Sequence, residues 1–377
     1  MSRTVLVAGT NAGQADLIRH MRGRGWRVVG CSPVAGEVGQ RFCDVVEPVD
    51  ITDLEAMAAV AGRHEVALIL SVASDVAIRS VVALSERLGL PHFHDSALVD
   101  LLDDKAALRA FLAEHDLGAV PFRRVRAAEE AEGWTQYPCI VKPTDAQGQR
   151  GIERVDAPGA LMPALARAIA VSRSGCAIVE AFLEGVELSC NVLICEGTVR
   201  VKVLSERLVH EGSAVGLPRG HLVPPVSVPM ADQQAARALV GRILTVLGHP
   251  DGALYMQMIA TREGPRIVEI APRLDGCHMW RLIEAARGAD LLGMMVDALT
   301  GEAPVPILPN DGEGDQADRD VMALMFQQAP PGTVFDSGAF RPPGNAIYHE
   351  HRFADGDRIG AVNGTLEVVG YHVGPWS

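Results

Sequence analysis

The chain has no Cys-x-x-Cys pair, no apolar run near the ~18 residues that a membrane helix needs, and no excess of basic charge. Each absence removes a class of function. Seven cysteines, at 31, 43, 139, 176, 190, 195 and 277, stand apart and mostly in apolar runs. They read as buried thiols in a reducing cytoplasm rather than a disulfide frame or a zinc site. A formal charge of −13 leaves no basic face for nucleic acid, whose phosphates demand one. The opening MSRTVLVAGT runs straight into a strand without a signal-peptide pattern. A soluble cytoplasmic protein acting on small molecules is expected, with neither nucleic acid nor membrane as partner and with a homo-oligomer left open. No Gly-x-x-x-x-Gly-Lys-Ser/Thr sequence occurs, which excludes a P-loop, and Gly9-Thr10-Asn11-Ala12-Gly13-Gln14 lacks the spacing of a dinucleotide fingerprint.

What is present is apolar and long. With 377 residues, 48% of them apolar, the chain supports two or three packed subdomains. Strands at 4–8, 26–31, 45–50 and 66–72 alternate with helical stretches, the last over 75–88, and predict a parallel βαβ unit ending near Leu90-Pro91. Ser74 and Asp75 read as a helix N-cap. The stretch around which the rest is organised is Gly252 to Gly276. Apolar residues 253–260, the turn Thr261-Arg262-Glu263-Gly264 and a β-branched run over 266–270 predict a hairpin. That hairpin puts Gln257 and Glu269 on one side, with Arg273 just beyond. Two oxygen donors beside a cation suit Mg²⁺ with a nucleotide; a solvated edge hairpin is the plainer alternative.

Glu269-Ile270-Ala271-Pro272-Arg273 resembles the metal-and-phosphate motif of the ATP-grasp superfamily, usually Glu-x-Asn-Pro-Arg. Ala271 in its middle is similar to N5-carboxyaminoimidazole ribonucleotide synthetases, and Gln257 is similar to the ligand of the carbamoyl phosphate synthetase large chain. Two further stretches match the superfamily. Tyr137 to Pro143 resembles the strand whose lysine, here Lys142, meets phosphate, although a lysine pinned before Pro143 is also a common snorkelling edge residue. Ile178 to Ser189 resembles the hinge strand. The resemblance implies an α/β fold: an N-terminal parallel βαβ domain over 1–95, a two-lobed ATP-binding core over 96–310 with its nucleotide lid at about 115–183, and a small β-rich subdomain over 311–377.

The same resemblance implies the site. Glu180 accepts from the adenine amino group, the backbone of Ala181, Phe182 and Leu183 meets the ring edge, and Glu187 holds the ribose. Lys105 and Lys142 reach the phosphates, and a loop containing Gly148 and Gly151 folds over them with Gln149 and Arg150. Gln257 and Glu269 hold Mg²⁺, or Mn²⁺ in its place, and Arg273 with Lys142 serves the transferring phosphoryl group. Arg207, Asp275, His278 and Arg281 are candidate substrate contacts; for His278, a general base competes with a positioning or capping role. Residues 210–225 read as a long loop bordering the acceptor pocket, and 310–320 as an acidic linker. His349 and His351 share a strand face without a third metal ligand.

The implied reaction is ATP-dependent activation of a small carboxylic acid as an acyl phosphate, followed by attack of an amine to give an amide, ADP and phosphate. Two rivals are kept: bicarbonate as the acid, giving a carboxylated or carbamoylated product, and a nucleotide-binding protein without turnover.

Overall fold

The computed structural model describes residues 3–145, 151–210, 216–309, 320–361 and 366–376. The glycine loop containing Gly148, Gln149 and Arg150, nearly all of the acidic linker, and part of the 210–225 stretch therefore lie outside the described residues.

Short, mostly buried strands alternating with helices build the first layer. β1 (Thr4–Ala8), α1 (Ala12–Gly23), β2 (Arg27–Cys31), β3 (Val45–Glu47), α2 (Leu54–Arg63), β4 (Val66–Leu70) and α3 (Asp75–Leu88) form a parallel sheet in the order β3-β2-β1-β4. Every β1 residue is buried, as expected of a parallel strand covered on both faces. Ser74 caps α3 through the Ala77 N–H, as its sequence position predicts, whereas Asp75 faces the central hairpin.

Helices α4 (Ser96–Asp103) and α5 (Lys105–Glu114) follow. Asp104 starts α5 by accepting from the N–H groups of Ala106 and Ala107. β5 (Phe122–Val125), β6 (Cys139–Pro143), β7 (Glu153–Val155) and β8 (Ala177–Ala181) make an antiparallel sheet in the order β5-β8-β6-β7. Helix α6 (Leu161–Val171) covers one face and shares an apolar core that includes Val141, Leu165 and Val179.

The largest sheet has eight strands. It is assembled from β9 (Val186–Cys195), β10 (Thr198–Val209), β11 (Pro218–Val223), β12 (Gly252–Thr261), β13 (Gly264–Ala271), β14 (Met322–Ala329), β15 (Tyr348–His351) and β16 (Glu367–Pro375), in the order β13-β12-β9-β10-β11-β14-β16-β15. One face packs on α4, α5 and α7 (Met230–Val246); the other meets α8 (Met279–Arg287), α9 (Leu291–Thr300) and the first layer. Gly185, where the chain enters β9, lies so close to β12 that a Cβ would sit 2.1 Å from the Ala260 carbonyl oxygen, so only glycine allows this approach.

One expectation is corrected here. Residues 218–223 are not loop: they form β11, which pairs with β10 and β14, since Leu222 and Val223 bury fully and Pro218 occupies the first strand position, where no ladder N–H is lost. The C-terminal stretch is β-rich as expected, and its strand β14 joins β11 and so extends the central sheet. Residues 358–361 contribute only an isolated bridge between Val334 and Arg358.

Candidate active site

β12 and β13 pair antiparallel with Gln257 directly opposite Glu269, and the register slips immediately afterwards, between Gln257 and Met258. A bulge at that point re-aims side chains next to the pair. The Gln257 amide N–H donates to Glu187 Oε2 at 3.0 Å. Gln257 and Glu269 both line one cleft, so an amide oxygen and a carboxylate are offered from paired strand positions. That donor set fits a hard divalent cation such as Mg²⁺; Ala271, further along β13, adds no side-chain oxygen. Arg273 forms a fork with the Asp75 carboxylate, Nη2 to Oδ2 at 2.8 Å, and its Nη1 donates to the Leu274 carbonyl. The phosphate-motif arginine is thereby tied to the N-terminal sheet, a partnership with no local signal in the sequence.

On one side of this hairpin lies a cavity of about 550 Å³, lined by Glu180 to Glu187, Ile140, Val209, Ile259 and Lys142. Glu180 is 5% exposed and binds Lys142 Nζ through Oε2 at 2.8 Å and Arg109 Nε through Oε1 at 2.9 Å. Burial opposes its charge, yet Arg109 and Lys142 hold its pKa down to about 2. Burial also pulls Lys142 down, against Glu180, which favours its charged form. Both carboxylate oxygens of Glu180 take cations, and Glu180 lines the cavity itself. The N–H groups of Ala181 and Phe182 are likewise committed, to the carbonyls of Pro121 and Pro138. A ring-edge contact along this strand is left to carbonyls and to Leu183. The Glu187 carboxylate is bound by Arg207 and Gln257, and Arg207 Nη1 also donates to the Gly216 carbonyl at 3.0 Å. Gly151, at φ 72°, closes the described end of the phosphate loop against the Pro143 ring.

Adjoining that cavity is another of about 360 Å³, lined by Asp75, Lys105, Arg207, Tyr255, Asp275 and Cys277 among others. The two cavities share Arg109, Lys142, Arg207 and Gln257, so they form one continuous cleft. Its floor is polar. Ser189, Ser205 and the fully buried His221 sit beneath it, with the Ser189 and Ser205 hydroxyls 2.7 Å apart. Burial lowers the pKa of His221 to about 4.

Of the four candidate substrate contacts, Arg207 and Asp275 line the cleft, and His278 and Arg281 are corrected. His278 is 1% exposed, stacks on Tyr371 at 4.3 Å and has its Nε2 3.0 Å from Arg352. It occupies the N-cap position of α8 at φ 56° without a side-chain capping bond. Arg281 binds Asp16 at 2.7 Å, away from the cleft. Both knit α8 to α1 and the C-terminal strands because Asp16 is a buried carboxylate that also takes the Trp280 N–H. Sequence reasoning passed over Arg109 and took Asp75 for a helix cap. Arg109 lies four residues after Lys105 on α5, a helical spacing that puts both on one face and was a usable signal; for Asp75 the signal is its place just past the end of β4, where ligands sit in open α/β sheets.

A parallel α/β layer, a four-stranded antiparallel sheet and a large antiparallel sheet enclosing this cleft define the ATP-grasp fold, and residues 102–277 match the ATP-grasp domain family. This stretch of the chain is thus similar to ATP-grasp domains. It is 28% identical over 192 residues to an ATP-grasp enzyme of Aspergillus fumigatus, a match covering 42% of this chain and 33% of that protein. It is 25% identical over 292 residues to the carbamoyl phosphate synthase large chain of Xylella fastidiosa, covering 74% of this chain and 26% of that one. The chain spans less than half the length of the curated relatives it matches. In fold it is similar to the L-amino acid ligase of Bacillus licheniformis, with a TM-score of 0.81 at 14% identity, covering 99% of this chain and 93% of that one. Among the described residues no helix is long and apolar enough to cross a membrane.

Proposed function

We propose that the chain is an ADP-forming carboxylate-amine ligase. A small carboxylic acid attacks the γ-phosphorus of ATP through a carboxylate oxygen, the bond to the bridging oxygen of ADP breaks, and an acyl phosphate forms. An amine then attacks the acyl carbon, phosphate leaves, and the amine proton passes to solvent or to phosphate. The observation that carries this reading is one continuous cleft whose two cavities meet at Gln257, Lys142 and Arg207, with Glu269 and Arg273 along the same wall. Gln257 and Glu269 would hold Mg²⁺, or Mn²⁺, which supplies charge neutralisation to the phosphates when bound. Lys142 and Lys105 bind phosphate oxygens, and Arg273, fixed by Asp75, orients the phosphoryl group being transferred.

On this reading residues 96–310 are the catalytic core, with the lid at about 115–183. Residues 1–95 supply Asp75, and residues 311–377 extend the sheet behind the acceptor cavity. Burial of the cleft walls keeps water from the acyl phosphate. The test is ADP and phosphate release across a matrix of carboxylic acids and amines, with and without bicarbonate. Release that needs both an acid and an amine is expected. Release supported by bicarbonate alone, or ATP binding without release in any mixture, contradicts it.

A further inference from the structure

Beneath the acceptor cavity three side chains from two distant segments converge. One ligand atom each from His221 on β11 and from Asp275 and Cys277 just past the Arg273 motif lie within 4.8 Å of one another. His221 is 0% and Asp275 3% exposed, and His221 Nε2 and Asp275 Oδ2 are buried with no hydrogen-bond partner. Leaving such atoms unpaired is costly, about 1–3 kcal/mol each. The remaining atoms are already fixed: Asp275 Oδ1 accepts from the Cys277 N–H at 3.0 Å, and His221 Nδ1 faces the Ser205 hydroxyl at 3.5 Å. An outer partner on one ring nitrogen while the other points into a ligand cluster is the arrangement of a metal-bound imidazole.

We propose that His221, Asp275 and Cys277 form a second metal site, for a borderline-soft divalent cation of the zinc type, with its open position turned to the acceptor cavity. One nitrogen, one oxygen and one sulfur donor match zinc rather than magnesium, and three protein ligands leave a fourth position for water or a donor atom of the acceptor. Bonds of about 2.0–2.3 Å require a small inward rotation of the three side chains. The charges balance: a neutral imidazole, a carboxylate and a thiolate offset a dication. Arg207, the nearby cation, is already paired with Glu187. Burial and the adjacent Asp275 carboxylate keep the free Cys277 thiol protonated, so metal binding forms the metal–sulfur bond and releases that proton. This site stands independently of the ligase reading and is distinct from the oxygen-only pair Gln257 and Glu269.

The test is Co²⁺ titration of the full chain after chelator dialysis, followed by optical absorption. The expected result is one equivalent bound with a thiolate-to-cobalt charge-transfer band and intense four-coordinate visible bands, one proton released per ion, and affinity rising with pH. Cys277→Ser abolishes the charge-transfer band, whereas His221→Gln and Asp275→Asn each weaken binding at least about tenfold; Cys43→Ser changes nothing. Glu269→Gln keeps the band, so this site and the ligase reading fail separately. A wild-type spectrum without the thiolate band, only weak six-coordinate absorption, or a band that survives Cys277→Ser in folded protein overturns the proposal. Wild-type protein alone decides the first two outcomes, whatever the variants do.

Discussion

The two halves of the cleft treat buried charge differently. In the nucleotide half Glu180 is gripped by Lys142 and Arg109, and Glu187 by Arg207 and Gln257, so each carboxylate has protein partners before any ligand arrives. In the acceptor half His221 Nε2 and Asp275 Oδ2 have none. A buried pair is costly to break but needs nothing more, whereas an unpaired buried polar atom is satisfied only by something added. In the first half the carboxylates are therefore preformed pairs and the unpartnered buried atoms are nitrogens of their cations, Arg109 Nη1 and Arg207 Nε; in the second half the unpartnered atoms include a carboxylate oxygen and an imidazole nitrogen, both able to take a ligand.

The comparison can be broken most forcefully at Arg109. Arg109→Met removes one of the two cations on a buried carboxylate and should destabilise the fold by about 3 kcal/mol or more. A drop in thermal midpoint is the readout; an unchanged midpoint would mean the pair is not holding that half together. Where the halves meet, Glu269→Gln keeps the shape but removes the charge proposed to hold Mg²⁺. It should cut phosphate release at least tenfold, on the order of 2 kcal/mol, at near wild-type melting temperature.

Acid separates the halves by pH. The His221 pKa is lowered to about 4, so between the unfolded value of 6.5 and 4 the unfolded state binds the proton that the folded state refuses. Stability from this group is present above about 6.5 and falls as pH drops toward 4, by about 1–3 kcal/mol. Glu180 is lowered from 4.5 to about 2, so its contribution is present above 4.5 and lost only as pH falls from there toward 2. His221→Gln should accordingly flatten the stability-against-pH curve between about 6.5 and 4 in chemical denaturation, and leave the more acidic limb in place. The smallest effect is expected for Asp275→Asn, which retains an oxygen for the Cys277 N–H. Its midpoint should move by no more than about 1 kcal/mol equivalent in metal-free protein, in contrast to Arg109→Met. A large loss there would show that Asp275 is structurally paired after all.

The same division explains what the sequence reveals. The Gln257 and Glu269 pairing is legible because a hairpin with its turn at 261–264 fixes register from local residues alone. Lys142 at a strand end before proline is legible for the same reason. The partners are not, because Arg109 reaches Glu180 across 71 residues and Arg273 reaches Asp75 across 198. Such contacts follow from how layers stack, which no local period encodes. β11 was hidden because proline and glycine open it, and its strand character comes from neighbours on both sides, β10 and β14. His278 and Arg281 stand within a turn of the motif in sequence, yet the chain rotates into α8 there and points them at Asp16 and Arg352.

The central claim is that the cleft joins ATP to a carboxylic acid before the amine attacks. With the acid chosen from the phosphate-release matrix and labelled with ¹⁸O in its carboxyl group, the released phosphate is analysed by mass spectrometry in unlabelled water and unlabelled bicarbonate. The account predicts one ¹⁸O atom transferred to each phosphate, because the carboxylate oxygen that attacks phosphorus stays with it when the amine displaces the acyl group. Phosphate that carries no label, although ADP and product form, would contradict it.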